Sequence, residues 1–169
     1  MQWPGFREHG ALVLPLDAAT FLPRQAPLRV RLDGRVLERK RELHITLLGR
    51  DQGREVVAAL GEARLRTLFE SFDWQVHGTG RYALLHKTKH EWDGPLQAWS
   101  LVEHLQAPDM AAFRYVLAQE SRVTLDCGVP HATLYVAGDP HGIGIPSLAA
   151  YRELFVREVA APELRPPAR

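Results

Sequence analysis

The chain has 169 residues, 46% hydrophobic and 24% charged, and a formal net charge of +1. That length suits one domain with a sizeable core, and the near-neutral balance excludes a global pull toward nucleic acid or membrane, so any basic surface has to be local. One cysteine, Cys127, excludes an internal disulfide and fits a reducing compartment, and no apolar run approaches the ~20 residues that span a bilayer.

Taken in order, residues 11–16 read as a first strand, followed by a loop with Pro23 and Pro27. Residues 28–32 alternate apolar and basic, and Asp33-Gly34 is a hairpin signal that returns the chain through Val36 and Leu37. The charged run from Glu38 to Glu42 reads as a solvated edge or turn. It leads into a strand over Leu43-His44-Ile45-Thr46-Leu47-Leu48. Gly49 to Gly53 breaks that strand. Residues 54–72 then carry apolar side chains at helical spacing, with Gly61 a dividing point.

A strand is expected at 74–76, a turn at Gly78 to Gly80, and strands at 81–85 and 98–102. The last two are joined by a polar connector, Lys87 to Pro95. Pro108 and Asp109 open a helix to about Glu120. A second strand of the His-x-Thr type, Pro130-His131-Ala132-Thr133-Leu134-Tyr135, follows a short segment at 122–125 and Gly128-Val129. Residues 138–142 read as loop, Ser147 as the cap of a helix over 148–153, and 155–159 as a closing strand. The tail 162–169 holds three prolines and is expected to fray. Met1 to Phe6 lacks the charged and apolar regions of a signal peptide, so the expectation is a cytoplasmic monomer with one domain over 1–169.

The two His-x-Thr strands stand about half a chain apart. In a strand, alternate side chains share a face, so His44 points with Thr46, and His131 with Thr133. One such triplet means little, since short patterns recur by chance. Two, each followed by Leu and each within a strand–helix–strands half, suggest a duplicated α+β chain with two lobes around a cleft.

Two imidazoles on either side of one substrate can serve as base and acid in a single displacement, because histidine titrates near neutral pH. The two threonine hydroxyls can hold non-bridging oxygens without adding negative charge. A tetrahedral phosphate suits that symmetry.

Leu43-His44-Ile45-Thr46-Leu47-Leu48-Gly49 and Val129-Pro130-His131-Ala132-Thr133-Leu134 resemble the paired signatures of the two-histidine (2H) phosphoesterase superfamily, which includes 2′-5′ RNA ligase-like proteins and cyclic phosphodiesterases. The resemblance implies a bilobal α+β fold with pseudo-two-fold symmetry, in which two antiparallel sheets form a central groove and helices pack outside. It implies hydrolysis of a cyclic phosphodiester, typically a 2′,3′-cyclic phosphate of a nucleotide or a short RNA end, with no metal and no cofactor. By motif position, His44 and His131 become the acid/base pair and Thr46 and Thr133 the phosphate ligands. The chain departs from the pattern at Tyr135-Val136-Ala137, where some members have a basic residue, and in reaching Gly49 one residue early. Both departures favour simple hydrolysis over ligase-type chemistry. The alternative is a groove that binds RNA ends or nucleotides without turnover.

Other residues are weaker candidates. Tyr82, Trp92, Trp99 and Tyr135 are able to stack on a base, and Tyr135 is the first choice because it follows Thr133 by two. Arg81, Lys87 and Lys89 flank the middle hairpin and are possible phosphate contacts. His86 and His90 are four apart, a metal-ligand spacing on a helix, but this segment reads as strand end and loop. Cys127 reads as a small core residue rather than a nucleophile, and Gly142-Ile143-Gly144 as turn residues.

Overall fold

The computed structural model describes residues 1–7, 10–22, 26–92, 94–126 and 128–164. It is an α+β fold with two antiparallel sheets. β1 (Leu12–Leu16) pairs with β4 (Leu43–Leu48), and the six-stranded sheet runs β2 (Arg29–Leu32), β3 (Arg35–Arg39), β7 (His131–Ala137), β6 (Gly94–Gln106), β5 (His77–Glu91), β8 (Phe155–Val159). The helices are the short α1 (Ala18–Phe21), α2 (Arg50–Leu60), α3 (Glu62–Glu70), α4 (Pro108–Ser121) and α5 (Leu148–Leu154).

The hairpin at Asp33-Gly34 forms as expected. Both residues take positive φ, +50° and +77°, which is what a two-residue turn of this type needs. Gly49 caps α2 rather than breaking the chain for five residues, because the Gln52 side chain turns back to accept from the Gly49 N–H at 3.3 Å. The helix therefore starts four residues earlier than its apolar spacing suggests. Gly61, at φ +76°, ends α2 and starts α3.

Several local expectations are corrected. Residues 74–76 form no strand; the Trp74 indole N–H donates to the Phe69 carbonyl at 2.9 Å and the ring packs into the core. Gly78 to Gly80 is not a turn between strands but an irregularity within β5, where the register slips between Gly78 and Tyr82. The Gly80 N–H donates to buried Glu103, and a Cβ on Gly78 would stand 2.6 Å from that carboxylate. The connector from Lys87 is strand too: β5 and β6 are one long hairpin, paired from His77↔Gln106 to Glu91↔Gly94. Of the tail expected to fray, residues 162–164 lie in a 3-10 helix, Ala161–Leu164. Pro23 and Cys127 lie outside the described residues, as does 165–169.

Alternation holds through the His-x-Thr triplet of each strand. Leu43, Ile45 and Leu47 are buried while His44 and Thr46 are half-exposed; Ala132 and Leu134 are buried while His131 and Thr133 are half-exposed. The inward residues join one large core. Phe69, Phe72, Trp74 and Phe113 from α3, α4 and the segment between form its aromatic centre, with Phe69 and Trp74 stacked at 4.9 Å. On its other face the six-stranded sheet carries a smaller core of Ala83, Leu85, Ala98, Val102 and Ile143, covered by α5. No helix among the described residues is long and apolar enough to cross a membrane.

Candidate functional site

His44, Thr46, His131 and Thr133 line one cavity of about 220 Å³. Each sheet contributes one strand. β4 belongs to the two-stranded sheet and β7 to the six-stranded one, and the two strands lie against each other without main-chain pairing as neighbours in a sheet. The cavity therefore sits on the seam between the sheets. Its rim is the loop after β7, through His141, Ile143 and Gly144, so the turn residues set aside in the sequence do reach the site.

The two imidazoles are held differently. His131 Nδ1 lies 2.6 Å from the Val129 carbonyl oxygen. A carbonyl only accepts, so Nδ1 carries the hydrogen and Nε2 keeps its lone pair. Burial lowers the His131 pKa, and the Val129 bond works against that drop. The Nδ1 of His44 is buried and has no hydrogen-bond partner among the described residues. Burial first, then the positive charges of Lys40 and Arg7, lower the His44 pKa from 6.5 to about 4. His131 contributes to the same shift, which places the rings within electrostatic reach of each other. At neutral pH the His44 ring is uncharged, and burial favours the neutral form of His131 as well.

Arg114 is the residue that sequence reading missed. It lies inside α4, is 5% exposed and lines the cavity. Its guanidinium donates to the Asp126 carbonyl at 2.7 Å, the Leu47 carbonyl at 2.5 Å and Gln52 Oε1 at 3.3 Å. It thus ties the end of β4, the start of α2 and the chain leading to β7. An arginine within a helix ordinarily reads as surface. The only available signal was its phase: Met110, Phe113, Arg114 and Leu117 share the buried side of α4.

The rim loop is fixed from several sides. The Asp139 carboxylate pairs with Lys89 and accepts from the His141 N–H at 2.7 Å, and the Ile143 N–H donates to the buried Ser100 hydroxyl at 3.0 Å. Gly138 is required there. Its φ is +79°, and a Cβ would stand 2.1 Å from the Gln97 carbonyl oxygen.

The remaining candidates are not brought to the cavity. Tyr135 is buried in the main core, its hydroxyl donating to the Pro27 carbonyl at 3.0 Å. The cause is a register shift: Val102 faces Thr133, but the next β6 residue, Leu101, faces Tyr135. The extra residue reverses the alternation, so Tyr135 turns inward with Ala132 and Leu134. Trp99 is stacked with His86 at 4.2 Å and covered by the Arg35 guanidinium at 3.9 Å. Tyr82 packs against the core beside Glu103, and Arg81 pairs with Glu158 at 2.9 Å on the surface. Trp92 is 98% exposed at the far end of the long hairpin. Among the described residues, no group of three or more His, Cys, Asp or Glu side chains gathers as a metal site. No family model, curated protein or solved structure matches this chain.

Proposed function

We propose that the chain is a phosphoesterase of the two-histidine type, acting on a cyclic phosphodiester such as the 2′,3′-cyclic phosphate of a nucleotide or RNA end. The observation that carries this reading is the convergence of His44, Thr46, His131 and Thr133, from two separate sheets, on one cavity. The reading includes the finer architecture, two lobes related by a pseudo-two-fold axis through the cavity. The sheets have two and six strands, so any such symmetry is confined to the elements next to the motifs.

His44 is assigned as the base. Its pKa of about 4 keeps it unprotonated at neutral pH, ready to take a proton from water. His131 is assigned as the acid. Its Nδ1–H bond to Val129 supports the imidazolium, which can protonate the leaving ribose oxygen through Nε2. The phosphate charge between the rings favours that imidazolium once substrate is bound. Water attacks phosphorus as His44 takes its proton; the bond to one ribose oxygen breaks as His131 gives one up. Thr46 and Thr133 hold the two non-bridging oxygens, and buried Arg114 supplies positive charge to the floor.

Incubation with 2′,3′-cyclic nucleotides in EDTA tests the reading. Turnover is expected, with about 10²–10⁴-fold loss in each of His44→Ala and His131→Ala. No turnover of any cyclic phosphate by the intact protein, or activity seen only after metal addition, overturns it.

A further inference from the structure

A second groove, open and of about 990 Å³, is lined by Leu22, Leu28, Arg29, Arg39, Lys40 and Arg41, with Glu38 the one carboxylate among the described residues of its walls. Four cations against one anion is a strong local excess in a chain whose whole charge is +1. Glu38 is already paired with Arg29 at 2.9 Å. Two of the other cations are steadied by neutral acceptors. Arg39 donates to the Ala26 carbonyl at 2.8 Å, and Lys40 Nζ to the Pro140 carbonyl at 2.9 Å and the His141 carbonyl at 3.5 Å. Carbonyls fix the direction of a cation without cancelling its charge; Lys40 is also within reach of the Asp139 and Glu42 carboxylates, so Arg39 and Arg41 carry most of the charge left for an anion.

Lys40 links the wall of the groove to the rim of the His/Thr cavity. His141, whose carbonyl Lys40 holds, lines the cavity, and the Lys40 charge is felt at His44. The groove thus lies on the Lys40 side of the cavity, the side from which a ligand extending past Lys40 would enter it.

We propose that this groove is a second phosphate subsite, taking a phosphate of the substrate other than the one that reacts. The inference rests on the phosphoesterase reading above. Two sources share the chemistry: the next phosphodiester of an RNA chain and the 5′-phosphate of a mononucleotide.

Three substrates separate them: a 2′,3′-cyclic mononucleotide, its 5′-phosphorylated form, and a tetranucleotide ending in the cyclic phosphate with a free 5′-hydroxyl. The readout is the ratio of kcat/KM to that of the plain cyclic mononucleotide, in the intact protein and in the double variant Arg29→Ala/Arg41→Ala. At least one phosphate-bearing substrate is expected to gain about tenfold at low salt, carried by KM, with the gain collapsing toward unity in the variant. A gain for the tetranucleotide alone assigns the chain phosphate, and a gain for both assigns any phosphate at that distance. Equal use of all three substrates by the intact protein, or a gain that survives the double substitution, overturns the subsite.

If the intact protein turns over none of them, the phosphoesterase reading fails separately. The subsite is then judged by fluorescence anisotropy of a labelled tetranucleotide 3′-phosphate. A drop in affinity of about tenfold in the double variant sustains it, and equal affinity overturns it.

Discussion

The two catalytic candidates differ in how each ring is tethered, and that difference has a measurable consequence. A base must be unprotonated, so kcat/KM rises with pH through the His44 pKa of about 4. An acid must be protonated, so kcat/KM falls as pH passes the His131 pKa, which burial holds below the usual 6.5. The bell for the free enzyme should therefore peak on the acid side, between about pH 4 and 6.5. An alkaline optimum would reverse the assignment of roles or remove it. Arg114 makes a second prediction at this scale. Arg114→Lys keeps the charge but loses the planar fork that reaches Leu47, Asp126 and Gln52 together. Steady-state kinetics should show kcat/KM about tenfold lower, since a single misplaced catalytic group costs at least that much. A lower melting temperature with unchanged kinetics would leave Arg114 a purely structural role.

At the scale of elements, regular alternation was legible and its interruptions were not. The motif strands β4 and β7, the β2–β3 hairpin, α4 and the Ser147-capped α5 all follow from spacing and turn chemistry, and so does the shared direction of His and Thr. The extra residue between Thr133 and Tyr135 has no local signature, because it is imposed by pairing with β6, and it reverses everything downstream. The tip of the long hairpin read as connector because Lys87, Thr88 and Lys89 lack strand-like hydrophobicity. What keeps the segment extended is the ladder to β6 and the Lys89 pairing with Asp139, 50 residues further along the chain. Tyr135→Phe tests the corrected placement. It should cost about 1 kcal/mol of stability through the lost bond to Pro27 and leave kcat and KM unchanged. A selective loss of substrate affinity would return Tyr135 to the site.

The whole molecule carries a cost for its partly buried imidazoles. His44, His104 and His131 all have pKa values lowered by burial, so the fold prefers them neutral. The unfolded chain binds their protons more readily, so this contribution is complete above the unfolded pKa near 6.5 and is lost as pH falls below it. His44 alone should remove about 2–3 kcal/mol by pH 4.5. Urea melts at pH 7 and pH 4.5 measure this, and His44→Gln should narrow the gap between them. An equal gap in that variant would locate the acid sensitivity elsewhere. Because the four motif side chains come from strands of different sheets, no shared hydrogen-bond ladder fixes the spacing of the imidazoles. The thickness of the packing beneath them fixes it instead, through residues such as Ile45, Ala132 and Leu134 that never touch the cavity. A methyl gained or lost in that layer resets the gauge, so a change of preferred ligand can arise by drift in the interior while every residue at the site is left as it was.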